Sequence, residues 1–164
     1  MKTLLVLRHA KSSWNDPALD DHERPLNKRG RRDAPRVGEL VREYRLVPDA
    51  IISSDAVRAR MTAEAVAEAA RYPGEILLDP RLYMANPAGI LSVLRTVPET
   101  RARTVMIVGH NPGLEELVAQ LTGDQQDLPT ATLAHIALPA AQWRDLKLST
   151  HGTLLGLWRP KELK

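Results

Sequence analysis

Short apolar runs alternate with helix-patterned segments along the whole of this sequence, and that alternation admits few folds. Residues 3–7 form an almost continuous apolar run rather than an in-out alternation, as expected of a strand buried on both faces of a parallel sheet. Residues 50–53, 75–78 and 103–108 read as three further strands. Between them, residues 27–44 carry Val37, Leu40, Val41 and Tyr44 on one helical stripe, with Pro35 predicting a kink or a fresh start near Asp33. Asp55 is expected to cap a helix running to about Ala70 that turns Val57, Met61, Ala65 and Val66 inward. Residues 87–94 form a third helix, and Leu114, Leu117, Val118 and Leu121 mark a fourth after Pro112-Gly113. Residues 132–138 and 152–159 read as two last strands around a connection containing Trp143. The pattern is that of an α/β layer fold with a mainly parallel sheet. With no repeat or break in composition, residues 1–164 are expected to form one domain.

In such sheets ligands bind beyond the carboxyl ends of the strands. The first run ends in Leu7-Arg8-His9-Ala10, and the run 105–108 ends in Gly109-His110. Two histidines distant in sequence are therefore expected on one edge of the sheet. An isolated Arg-His pair is an ordinary solvated strand end; the repeated pattern is what marks it. Arginine grips phosphate oxygens as a planar fork, and neutral histidine is a nucleophile or base at physiological pH. A third piece follows the second strand, where Arg58 sits in the first turn of its helix. A cation there opposes the helix dipole, and a residue that breaks a local rule is a candidate for function. Pairing with Asp55 or Thr62 on the helix surface is the alternative.

Composition removes several other classes. The chain has no cysteine, which excludes disulfides, thiolate zinc sites and a cysteine nucleophile. No His-Glu-x-x-His pattern or carboxylate cluster has metal-ligand spacing, so no metal or cofactor is expected. The net charge is only +3, and aromatic residues make up 4% with no Phe, so Lys28-Arg29-Gly30-Arg31-Arg32 reads as a solvated helix start rather than a nucleic-acid patch. No apolar run reaches the length of a membrane span, and a cytoplasmic protein is the expectation.

Together these residues resemble a known family. Arg8-His9-Ala10 followed by Trp14-Asn15 resembles the signature of the histidine phosphatase superfamily, which includes the cofactor-dependent phosphoglycerate mutases. Arg58-Ala59-Arg60-Met61-Thr62-Ala63 resembles its second phosphate-binding segment, and Val108-Gly109-His110-Asn111 the segment of its second catalytic histidine. Residues 21–30, and the opening Arg8-His9-Ala10-Lys11-Ser12, are similar to the small SixA-type phosphohistidine phosphatases. The resemblance extends from Leu4 to about Leu138. It implies a three-layer α/β/α sandwich of the phosphoglycerate mutase type. It also implies His9 as the nucleophile, with Arg8, Arg58 and His110 holding the phosphoryl oxygens. Asn15, Lys11, Ser12 and His22 are weaker candidates for substrate contacts, while His135 and His151 read as packing and turn residues.

The chain departs from larger branches of the family where a proton donor would stand. Acid-phosphatase-like members have an aspartate after the second histidine, whereas this chain has Asn111-Pro112-Gly113. Mutase-like members carry a glutamate in the segment corresponding to residues 79–86, which here has no equivalent; Glu75 and Asp79 are the nearest acids. The expected activity is hydrolysis of phosphohistidine on a protein or a similar phosphoramidate. A small-metabolite phosphomonoesterase and a phosphate-binding module without turnover are the alternatives.

Overall fold

The computed structural model describes residues 1–99 and 102–163. Its strands are β1 (Lys2–Arg8), β2 (Ala50–Ser53), β3 (Ile76–Leu78), β4 (Thr104–Gly109), β5 (Leu133–Leu138) and β6 (Thr153–Trp158). They form one sheet in the order β3-β2-β4-β1-β5-β6. β1 to β4 run parallel, and β5 and β6 return antiparallel at one side. Helices α1 (Lys28–Glu43) and α2 (Val57–Ala70) cover one face; α3 (Pro87–Leu94) and α4 (Gly113–Thr122) cover the other. Strand β1 shows why its run is continuously apolar. Leu5 and Leu7 pack under α1 and α2, while Leu4 and Val6 pack under α3 and α4. The result is the expected three-layer α/β/α sandwich with a mainly parallel sheet.

Several local expectations are corrected. Pro35 neither breaks nor restarts α1, which runs through it as one 16-residue helix. Proline forfeits one main-chain bond there, and the packing of Ala34, Val37 and Val41 against α2 offsets it. The helix starts at the Asn27 cap, whose side chain accepts the Gly30 N–H at 2.9 Å. Tyr44 lies past its end and is exposed, beside the Trp158 ring. Helix α2 is not capped by Asp55; Ala56 holds that position, and the Asp55 carboxylate turns to His22 instead. Its buried stripe is Ala59, Thr62, Ala63, Val66 and Ala70, with Val57, Met61 and Ala65 only half-buried. Small side chains face inward because α1 and α2 lie close together, with Gly38 against the Val66 carbonyl. Helices α3 and α4 bury the expected leucines, and Trp143 is buried in a 3-10 turn (Trp143–Asp145).

Register positions the edge that matters. Arg8 pairs with Gly109 and Ser53 with Val108, so the residues following β1, β2 and β4 emerge side by side. Two glycines let neighbouring segments approach that edge: a Cβ at Gly30 would collide with the Lys11 carbonyl, and one at Gly113 with the Ala85 carbonyl. No helix among the described residues is long and apolar enough to cross a membrane.

Candidate active site

His9 leaves β1 with its N–H on the Gly109 carbonyl at 3.1 Å, and His110 follows Gly109 directly, so the two rings lie 5.2 Å apart between centroids. Arg58 reaches them from the first turn of α2. Its Nε is 3.4 Å from His9 Nε2 and its Nη2 is 3.4 Å from His110 Nδ1. All three side chains are buried. Arg8 completes the group from the end of β1: its Nη1 donates to the Leu128 carbonyl at 3.0 Å, while its Nε is buried with no acceptor among the described residues. The four residues that the sequence singles out thus converge, and Arg58 is not a surface residue paired within its own helix.

The His9 ring is held in one tautomer. A carbonyl can only accept, so Nδ1, 2.7 Å from the Ala10 carbonyl, carries the proton and Nε2 keeps its lone pair toward Arg58. Burial lowers the His9 pKa to about 4; the Ala10 bond opposes the shift, and the cations of Arg58, Arg8 and Arg24 add to it. His110 is lowered to about 3, by burial first and then by His9 and Arg58. Both rings are therefore neutral at neutral pH.

This has a measurable consequence for stability. In the unfolded chain histidine titrates near its ordinary value of about 6.5, so between there and about pH 4 the unfolded state binds more protons than the folded one. Stability then falls as pH drops through that window. The thermal midpoint of the wild type should decline on acidification from neutral pH, and His9→Ala should decline less steeply. Equal slopes for the two proteins would contradict a buried, neutral His9.

Sequence reasoning missed the groups that hold Arg58. Asp21, in a 3-10 turn (Asp21–Glu23), grips the far end of the guanidinium: Nη1 donates to its carbonyl at 2.6 Å and Nη2 to Oδ2 at 2.9 Å. This leaves the Nε–Nη2 edge for the histidines. The Tyr83 hydroxyl donates to the same Oδ2 at 2.5 Å, and the Tyr83 ring stands edge-on to His110. Arg24 takes the other oxygen, with Nε and Nη2 at 3.1 and 3.0 Å from Asp21 Oδ1. Burial works against ionisation of Asp21, but hydrogen bonds from Tyr83, Arg58 and Arg24 hold its carboxyl well below the ordinary range. The one available signal was the polar segment 16–25 itself, which carries both Asp21 and Arg24.

The weaker candidates separate. His22 stands at the rim, bonded through Nε2 to Asp55 at 2.9 Å and edge-on to Tyr83; its pKa is raised by Asp55 and then by Glu23. The Ser12 hydroxyl is buried and accepts from Arg24 at 2.6 Å, so it supports the Asp21 group rather than facing the pocket. Lys11 and Asn15 are exposed, and the side chain of neither makes a hydrogen bond among the described residues. The two acids weighed as proton donors are not in the group: Asp79 is paired with Arg81 at 2.7 Å, and Glu75 is exposed. His135 stacks on Trp158, and His151 is exposed. Among the described residues no three histidine, aspartate or glutamate side chains cluster as metal ligands.

Residues 4–83 match the model of the histidine phosphatase superfamily (branch 1). An uncharacterized chloroplastic protein of Arabidopsis thaliana is 32% identical over 154 residues, covering 88% of this chain and 70% of that one. The structure of a candidate phosphohistidine phosphatase SixA from Agrobacterium tumefaciens superposes with a TM-score of 0.82 at 28% identity, covering 97% of this chain and 98% of that one. A SixA of the same designation from Nakamurella multipartitia gives 0.84 at 27% identity, covering 97% and 96%. Arg8 and His9 at the end of β1, and Arg58 in α2, fall inside the matched segment, and His110 completes their cluster from β4. The chain belongs to the histidine phosphatase superfamily, in its SixA-like branch.

Proposed function

We propose that this protein is a phosphatase that hydrolyses phosphohistidine on a protein, or a similar phosphoramidate, through a covalent phosphoryl intermediate on His9. The observation that carries this reading is the His9 ring, with Nδ1–H tied to the Ala10 carbonyl and an unprotonated Nε2 that meets only the Arg58 Nε–H, at 3.4 Å, inside a buried, cationic pocket. In the first half-reaction Nε2 attacks phosphorus. The bond from phosphorus to the substrate nitrogen breaks, and the leaving imidazole keeps the electron pair and takes a proton from solvent. In the second half-reaction water attacks phosphorus, the P–Nε2 bond breaks, and the water proton passes to solvent. Phosphoryl transfer needs in-line positioning and charge stabilisation on the equatorial oxygens, with little other chemistry. Arg58 would offer its Nε–Nη2 edge, Arg8 its unpartnered Nε, and His110 a neutral donor. No metal takes part in this scheme. His22 stands on the rim, and the exposed Lys11 and Asn15 would meet the surroundings of a protein-borne phosphoryl group. A single-domain enzyme of the cytoplasm completes the proposal.

The test is phosphate release from a phosphohistidine-bearing protein in the presence of EDTA. Release should be unaffected by the chelator and inhibited competitively by phosphate and vanadate. Loss of activity in EDTA that a divalent metal restores would contradict the scheme, and absence of release from any phosphorylated substrate would reduce the site to a binding module. Arg58→Ala should lower kcat/KM about ten- to hundredfold, the equivalent of ~1.5–3 kcal/mol for a hydrogen bond to a charged group. Unaltered kinetics in that variant would remove Arg58 from the pocket.

A further inference from the structure

We propose that Ser54 is a positioning residue for the phosphoryl pocket: its hydroxyl donates to His110 Nε2 and so keeps the ring proton on Nδ1, facing the space beside Arg58. The consequence for catalysis rests on the phosphatase reading; the tautomer does not.

Ser54 follows β2 and its N–H donates to the Val108 carbonyl at 2.9 Å, which sets it beside His110 at the end of β4. Its side chain is completely buried, with Oγ 2.8 Å from His110 Nε2. The Ala56 N–H donates to the same Oγ at 3.2 Å, from the start of α2. A neutral imidazole has one N–H. Were it on Nε2, Ser54 Oγ would accept from two donors, and its own buried proton would have no acceptor among the described residues. With the proton on Nδ1 the Ser54 group is satisfied, Ala56 N–H to Oγ and Oγ–H to Nε2, and Nδ1–H is left for an anion in the pocket. Arg58 Nη2 lies 3.4 Å from Nδ1, a long contact beside its 2.9 Å bond to Asp21 Oδ2, and in this tautomer the two are neighbouring donors with a common target. The two histidines thus hold the same Nδ1–H tautomer but turn opposite nitrogens toward the pocket, Nε2 of His9 and Nδ1 of His110. A carbonyl under His9 leaves its inward nitrogen unprotonated for attack, and a hydroxyl under His110 makes its inward nitrogen a donor without adding charge beside the nucleophile. The low pKa of His110 is consistent with this, since the ring donates while neutral.

The experiment is long-range proton–nitrogen correlation NMR on histidine-15N-labelled protein at neutral pH, with and without orthovanadate. The wild type should show His110 protonated at Nδ1 and His9 likewise at Nδ1, the latter with its inward Nε2 unprotonated. Ser54→Ala should move the His110 proton wholly or partly to Nε2 and weaken vanadate binding on the order of tenfold, as expected for one lost hydrogen bond to a charged group. Ser54→Thr, which keeps the hydroxyl, should retain the wild-type tautomer. A wild-type His110 protonated at Nε2, or a folded Ser54→Ala protein with both tautomer and vanadate affinity unchanged, would overturn the assignment. A wild type with the expected tautomers that binds no vanadate would instead overturn the phosphatase reading and leave the Ser54 contact standing.

Discussion

His9→Ala is expected to abolish phosphate release while leaving the fold intact. The His9 ring touches the Ala10 carbonyl and Arg58, whereas β1 is held by its main-chain ladders to β4 and β5 and by Leu4 to Leu7 in the two cores. Removing the ring therefore leaves the strand's own packing in place but removes the side chain that bonds to phosphorus in the scheme. The remaining cations would still bind the substrate, so the loss should fall on kcat and reach the uncatalysed background. A wild-type reaction quenched rapidly without acid should yield an acid-labile, base-stable phosphoprotein, and the variant should yield none. Label trapped on the His9→Ala protein, or on another residue of the wild type, would sink the assignment of the nucleophile.

The second large effect concerns the leaving group. Expelling an alkoxide from an alkyl phosphate requires a proton from a positioned donor, an effect worth about 10²–10⁴-fold. Among the described residues the carboxylate hydrogen-bonded to Arg58 is Asp21, and its bonds to Tyr83, Arg58 and Arg24 keep it ionised at neutral pH, so it has no proton to give. Asn111, in the position where acid-phosphatase-like relatives carry their donor, spends its amide on Glu115 and the Leu128 carbonyl. A phosphohistidine leaving group needs no such help, because its imidazole takes a proton from solvent near neutral pH and departs as a neutral ring. Rates should therefore fall steeply from phosphohistidine through aryl phosphate to alkyl phosphate. Glu75→Gln and Asp79→Asn should leave the phosphohistidine rate nearly unchanged, since neither side chain is in the site. Comparable kcat/KM on serine phosphate and phosphohistidine would reveal a proton donor and favour a small-molecule phosphomonoesterase.

The reach of the sequence and the part left to the tertiary structure divide along a physical line. Strands and helices follow from apolar periodicity, which is local, so β1 to β6 and the four helices were legible to within a few residues. The convergence of Arg8, His9 and His110 was legible too, because a parallel sheet sends the ends of adjacent strands to one edge. Where local rules compete with packing, they lost: Asp55 left the α2 cap for His22, and the inward stripe of α2 turned until small residues met α1. Asp21, Arg24, Tyr83 and Ser54 carry no periodicity at all. Their places depend on how the loop around residues 16–25 and the turn before α3 fold over the sheet edge, and on the register that sets Ser53 beside Val108. The sequence by itself determined the layers, the edge and the charged residues that stand there. Only the tertiary structure decided which donor meets which acceptor, because a hydrogen bond is satisfied or lost over a few tenths of an ångström that no sequence pattern encodes.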